Sequence, residues 1–185
     1  MTYSAHRRYP LQGRKDLLVA AASRFAPDTV IADLSDQARL GLRGSGTPQW
    51  CSQNRLPFPE AINGVSEADG LRLARLGRYE LLILADETGV FPRDFGALPP
   101  RTYSAYRGET WGWFRIAGAG AMDLFSAMTS TPLEATALTG KTVLQTTLCG
   151  VDAVVLARQT GHAFAADILL DIASSHSFIE GCLSL

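Results

Sequence analysis

The sequence passes twice through the same short pattern, and an internal repeat restricts the possible folds of a chain more than any other feature. In the first half, Ala38-Arg39-Leu40-Gly41-Leu42-Arg43 leads into Gly44-Ser45-Gly46 and then Thr47-Pro48-Gln49-Trp50. In the second, Trp111-Gly112-Trp113-Phe114-Arg115-Ile116-Ala117 leads into Gly118-Ala119-Gly120 and then Ala121-Met122-Asp123-Leu124-Phe125. Each copy reads as a strand, a Gly-x-Gly turn and a helix start. In the first, Thr47 is expected at the N-cap with Pro48 at N1, where a missing N–H costs nothing. In the second, Leu124, Phe125 and Met128 recur at helical spacing and mark a buried face.

Strands follow in both halves. Leu71, Leu73 and Leu76 alternate with polar partners before Gly77-Arg78, and Glu80-Leu81-Leu82-Ile83-Leu84 reads as a buried strand. In the second half, residues 142–148 and 153–157 flank a turn at Cys149-Gly150-Val151-Asp152, and the apolar run 164–172 is a further strand. Ser174 or Ser175 is then placed to cap a last helix carrying Phe178, Ile179 and Leu183. Residues 91–107, with Pro92, Gly96, Pro99 and Pro100, read as the connection between halves. The expected fold is α+β, with two similar β-α-β-β-type halves at about 31–90 and 108–185 forming one domain behind an N-terminal arm at 1–30. Arg7, Arg8, Arg14 and Lys15 read as solvated parts of that arm.

Composition bounds the function. Of 185 residues, 46% are hydrophobic and 19% charged, where about 25% charged is usual. A core needs no disulfide or metal at this length. So thin a supply of charge predicts that another subunit covers part of the surface. An ordinary monomer is the competing reading, since apolar atoms supply over half of any folded surface. Trp50, Trp111 and Trp113 are the candidate interface residues. Trp111 and Trp113 alternate with Gly112 and so share one face of their strand.

The net charge of −1 carries no basic stripe, which argues against nucleic-acid binding. No apolar run reaches membrane-spanning length, and residues 17–22 are too few for a signal-peptide core. A cytoplasmic location is expected. Cys51, Cys149 and Cys182 are odd in number and widely spaced, and they read as buried apolar residues in a reducing compartment.

Several motifs invite chemistry and fall short of it. Gly118-Ala119-Gly120 starts like a dinucleotide fingerprint, but Asp123 stands where the third glycine belongs, and Gly44-Ser45-Gly46 also lacks it. Both read as tight turns that let a helix pack closely on a strand. Ala135-Thr136-Ala137-Leu138-Thr139-Gly140-Lys141-Thr142 imitates a phosphate loop, yet the β-branched stretch after it predicts a strand where phosphate binding needs a helix start. His6 lies in the arm, His162 in a turn, and His176 between Ser175 and Ser177, where sequence neighbours cannot form a Ser-His pair on a helix. Asp33, Glu80, Asp86, Glu87, Asp152, Asp167 and Asp171 are assigned to strand ends and turns, where capping and solvation explain them. No catalytic, cofactor-binding or metal-ligating residue is assigned.

The order of segments resembles a known family. Ile31-Ala32-Asp33-Leu34-Ser35 with Leu42-Arg43-Gly44-Ser45-Gly46 is similar to the opening of an aminomethyltransferase-type folate-binding domain. Gly70 through Leu84, Trp113 through Ala121, Thr131-Pro132-Leu133, Val143 through Leu148 and Val151 through Arg158 resemble segments of the gamma subunits of heterotetrameric sarcosine oxidases. The resemblance runs from about Ala32 to Leu183. It implies a non-catalytic gamma subunit that serves assembly or stability in a complex oxidising sarcosine or a related N-methyl amine, with the methyl carbon passed to tetrahydrofolate. It implies larger flavin- and folate-binding subunits as partners, and FAD, FMN, NAD and tetrahydrofolate in the complex, none of them bound by this chain alone. Two departures from folate-using relatives stand out. Leu76-Gly77-Arg78-Tyr79-Glu80 has no aspartate where those enzymes carry a pair, and Lys141 is followed by Thr142-Val143 where folate-binding repair proteins carry a Lys-Gly-Cys-Tyr motif. The alternatives are a free-standing folate-binding one-carbon transfer protein, and a homo-oligomer working without larger partners.

Overall fold

A computed structural model describes residues 9–11, 13–85, 89–131, 140–160 and 163–185. His6, Arg7, Arg8, Asp86, Glu87, Pro132, Leu133, residues 135–139 of the phosphate-loop imitation and His162 lie outside the described residues.

In chain order the elements are α1 (Lys15–Ala22), β1 (Val30–Asp33), β2 (Arg39–Arg43), α2 (Thr47–Gln53), β3 (Val65–Ala68), β4 (Leu71–Gly77), β5 (Glu80–Ala85) and β6 (Tyr103–Ser104). There follow α3 (Arg107–Thr110), β7 (Trp111–Ala117), α4 (Ala121–Met128), β8 (Val143–Leu148), β9 (Val151–Thr160), β10 (Ala163–Asp171) and α5 (Ser175–Ser184). The strands form two five-stranded sheets, ordered β3-β4-β5-β2-β6 and β8-β9-β10-β7-β1, with antiparallel pairing throughout.

Those two orders are the same order. β2 corresponds to β7, α2 to α4, and the three strands after each helix to one another. The outer strands are exchanged: β1, which precedes the first half, closes the second sheet, and β6, which precedes the second half, closes the first. Registers agree as well, since Tyr103 lies opposite Arg43 in one sheet and Val30 opposite Ala117 in the other. The expected repeat is present, with three strands after each helix where the first-half sequence shows two. β3 is short and contains Glu67, so its pattern is weak, and β6 has only two residues.

Three apolar clusters fill the layers. α1, α4 and α5 cover the outer face of the second sheet around Phe114, Phe125, Ile168 and Phe178. α2 covers the outer face of the first around Trp50, Leu73 and Ile83, aided by Phe91 and Phe95. Between the sheets pack Ala74, Leu82, Leu84, Trp113, Leu156 and Leu169. The first sheet is therefore buried on both faces, which is why residues 81–85 are continuously apolar.

This double burial corrects the expected alternation in β4. Leu71 and Leu73 face α2, whereas Leu76 faces the second sheet, and Arg72, on that same inner side, is 2% exposed. α1 lies within the segment read as an arm, and its Leu18, Ala21 and Ala22 are buried in the helix-covered core. At α2 the N-cap is Gly46; Thr47 begins the helix, and its buried hydroxyl makes no hydrogen bond. Ser174 holds the N-cap of α5 without a side-chain capping bond.

Candidate functional site

The two Gly-x-Gly turns are filled by the chain itself. A Cβ on Gly118 would lie 1.9 Å from the Asp28 carbonyl oxygen, and one on Gly44 would lie 2.2 Å from that of Arg101. Gly46 and Gly120 are crowded by Thr102 and Thr29 in the same manner. The intruding segments, Pro27-Asp28-Thr29 and Pro100-Arg101-Thr102, are themselves equivalent turns, with Asp28 and Arg101 both left-handed at φ 68° and 63°. The Gly120 N–H donates to the Thr29 hydroxyl at 3.1 Å, and the Gly46 N–H to the Arg101 carbonyl at 3.0 Å. The glycines thus admit the turn ahead of each exchanged strand, a closer purpose than the helix-on-strand packing expected, and the amides that would cradle phosphate are in use.

The most unusual side-chain cluster sits between the sheets. Asp167, in the middle of β10, is fully buried. Its Oδ1 accepts from Trp113 Nε1 at 2.9 Å and Arg115 Nε at 2.8 Å; its Oδ2 accepts from Arg72 Nη1 at 3.1 Å and Arg158 Nε at 2.5 Å. This corrects the assignment of Asp167 to a strand end or turn. Arg72 crosses from the first sheet and also donates to the Ala157 and Gly140 carbonyls at 3.0 and 3.3 Å. Glu67, largely exposed, stands 3.5 Å from Arg72 Nε.

Four donors on two oxygens saturate a carboxylate. Burial works to raise the pKa of Asp167, but the charges of Arg158 and Arg115 and their hydrogen bonds outweigh it and hold the carboxyl below the usual range. Burial and the charge of Arg158 pull Arg72 downward, against the opposing pull of Asp167 and Glu67. An ionised, saturated carboxylate neither abstracts nor delivers a proton near neutrality. The cluster orients Trp113 and locks the sheets together. A charged residue interrupting the apolar run 164–172, with arginines in strands β4, β7 and β9, was the sequence signal for it.

The tryptophans separate. Trp50 and Trp113 are 1% and 0% exposed, so neither offers a surface to a second chain: Trp50 packs from α2 against the first sheet, and Trp113 lies between the sheets. Trp111 does share the inner face with Trp113, is half-buried, and has the Arg107 guanidinium 3.9 Å above its ring. A cleft of about 830 Å³ opens beside Trp50, with Phe91, Phe95 and Leu40 in its wall and Arg93 and Asp94 at its rim. Its mixed loop lining gave no periodic signal.

The remaining candidates have structural partners. His176 Nε2 meets the Pro10 carbonyl at 2.9 Å, and the Ser175 hydroxyl donates to Ile172. Asp33 accepts from the Ser35 N–H and Asp171 from the Ala173 N–H, as local caps. Glu80 pairs with Arg107 at 2.6 Å. Strand β8 follows Thr142, as expected. Among the described residues no three His, Cys, Asp or Glu side chains gather as a metal site, and no helix is long and apolar enough to cross a membrane.

No protein-family model matches the sequence, and no curated protein matches it significantly. Solved structures do match by fold. A chain of heterotetrameric sarcosine oxidase from Corynebacterium sp. U-96, solved in complex with pyrrole 2-carboxylate, superposes with a TM-score of 0.73 at 16% identity, over 96% of this chain and 93% of that one. Glycine cleavage system aminomethyltransferase T from Bartonella henselae matches with a TM-score of 0.56 at 12% identity, over 90% of this chain and 48% of the transferase. At these identities the fold is what is shared, and it is the α+β fold that the segment order implied.

Proposed function

We propose that this chain is a non-catalytic subunit of a multi-subunit flavoenzyme of the sarcosine oxidase type, where it serves assembly and stability. The observation that carries this reading is mutual coverage: the match takes in nearly all of both chains for the oxidase but only 48% of the transferase. A fold that fills its counterpart end to end suits an equivalent subunit better than one section of a larger enzyme. The saturated Asp167 adds support, since it is the only fully buried carboxylate among the described residues and is committed to structure.

In this reading the whole assembly oxidises sarcosine or a related N-methyl amine and passes the methyl carbon to tetrahydrofolate. FAD, FMN, NAD and folate are held by the larger subunits. The test is affinity purification of the tagged chain from its source, with mass spectrometry and an absorbance spectrum of what accompanies it. Larger chains carrying flavin and oxidising sarcosine are expected. Recovery of the chain alone would overturn the proposal. The fold shared with aminomethyltransferase T keeps a second reading in view, a free-standing folate-binding one-carbon protein, which folate binding by the isolated chain would favour.

A further inference from the structure

The internal repeat supplies a built-in control for what the fold itself requires. Around Gly118 the equivalent turn is completed by Ala117, Asp28 and Val30; around Gly44 the same positions hold Arg43, Arg101 and Tyr103. Both turns close with the same register and a left-handed residue at the same position. The arginines and the tyrosine are therefore not needed to form the turn.

They also have company. Arg78 and Tyr79 form the β4–β5 turn, and the Tyr79 carbonyl accepts from the Gly44 N–H at 3.1 Å, which brings them beside Arg43. Arg78 lies over the Tyr79 ring at 5.2 Å. Arg43, Arg78 and Arg101 are exposed, as are Tyr79 at 37% and Tyr103 at 59%. No ion pair involves any of the three arginines among the described residues. Glu80, opposite Arg43 in the register, is paired with Arg107, so in a chain of net charge −1 three guanidiniums stand beside two exposed phenols without an ion pair among the described residues.

We infer that this end of the first sheet is the docking surface for an acidic patch on a larger protein subunit. The inference rests on the subunit reading above and names its contact face. Arginine and tyrosine are the residues that interfaces concentrate, and exposed guanidiniums select a partner bearing carboxylates by charge complementarity. At the Gly118 end the equivalents are the uncharged Ala117 and Val30 and the acidic Asp28, which make that end unsuited to the same partner.

The experiment uses the flavin-bearing subunits co-purified with the full chain, separated from it and titrated with wild-type and variant chains. The combined R43E, R78E and R101E substitutions should weaken binding about tenfold or more and abolish its salt dependence. The milder set R43Q, R78Q and R101Q should show the same direction, with thermal melts reporting that each variant is folded. Val30→Ala, at the equivalent end, should bind like wild type. Wild-type affinity in both arginine sets would overturn the docking surface and leave the subunit reading intact. A wild-type chain that binds no flavin-bearing subunit would remove both. Salt-sensitive binding to a DNA duplex in place of those subunits would also overturn it, by assigning the arginines to phosphate.

Discussion

Arg72 Nη1 reaches Asp167 Oδ2 at 3.1 Å across the space between the two sheets, joining residues 95 positions apart. One partner is 2% exposed and the other 0%, so neither charge has water to fall back on. Removing the charge takes away the counter-ion that three guanidiniums share, and Asp167→Asn should cost about 3–5 kcal/mol in a denaturant titration. Arg72→Met should cost less, about 1–3 kcal/mol, because Asp167 keeps Arg115 and Arg158 while two carbonyls lose a donor.

The same carboxylate, held ionised by Arg158 and Arg115, sets a pH dependence. The folded-state pKa of Asp167 lies below its unfolded value, so its contribution is complete above the unfolded pKa of about 3.9 and is lost as pH falls through the folded one. The stability gap between wild type and Asp167→Asn should be constant through neutrality and shrink only in that acid window. A gap that already closes between pH 7 and pH 5 would show that the carboxyl is not held ionised as described.

At the Gly-x-Gly turns the expectation is paired damage. Gly44 and Gly118 combine positive φ, at 113° and 102°, with a backbone oxygen where a Cβ would sit. Gly44→Ala and Gly118→Ala should each lower stability by more than about 1 kcal/mol. Gly70 and Gly150 also have positive φ but open space around them, so alanine there should cost only about 1 kcal/mol, from backbone strain alone. Unfolding midpoints of the four variants check the contrast.

The repeat, the strand-turn-helix units and the final helix were legible because their periodicities are local. What escaped depended on the partner sheet. Whether Leu76 faces α2 or the second sheet is decided by burial on both sides of β4, which alternation alone cannot express. Asp167 looked like a strand-end acid because Arg72 and Arg115 come from β4 and β7, 95 and 52 positions away, and Arg158 faces it only once β9 and β10 pair. The exchanged outer strands were hidden for another reason: β1 and β6 have four and two residues, too few for a pattern. Their Pro-x-Thr turns repeat, but a three-residue match gains meaning only when both are seen pressed onto glycines.

Two of the three cysteines are neighbours. Cys149 Sγ, in the β8–β9 turn, lies 3.9 Å from Cys182 Sγ on α5, and Gly181 allows the approach. The hydrogen bond from Cys182 lowers the pKa of Cys149 against burial, while that bond and burial raise Cys182. Cys51 is separate, with burial pushing its thiol up to about 12. Hydrogen peroxide should take the Cys149–Cys182 pair to a disulfide, with two water molecules formed, so that titratable thiols in the denatured chain fall from three to one. Peptide mapping should find Cys51 reduced; a Cys51-containing disulfide would contradict this geometry.

The last expectation concerns folate. At the β4–β5 turn, where the resemblance places paired aspartates in folate-using enzymes, the carboxylate available is Glu80, and its Oε1 is 2.6 Å from Arg107 Nη2. Arg107 is itself held by stacking on Trp111. A ligand with N–H donors would have to displace that pair, although the pair is partly exposed and worth only about 0–1 kcal/mol. Freeing it by Arg107→Ala supplies one carboxylate where the folate-using enzymes of the resemblance carry a pair. The isolated wild-type chain should therefore show no shift in melting temperature with tetrahydrofolate, and Arg107→Ala should not create one. A ligand at a hundred times its dissociation constant adds about 2.7 kcal/mol, well above detection in a thermal melt. A saturable rise in the wild type would place a folate site within this chain and favour the one-carbon transfer reading over the subunit.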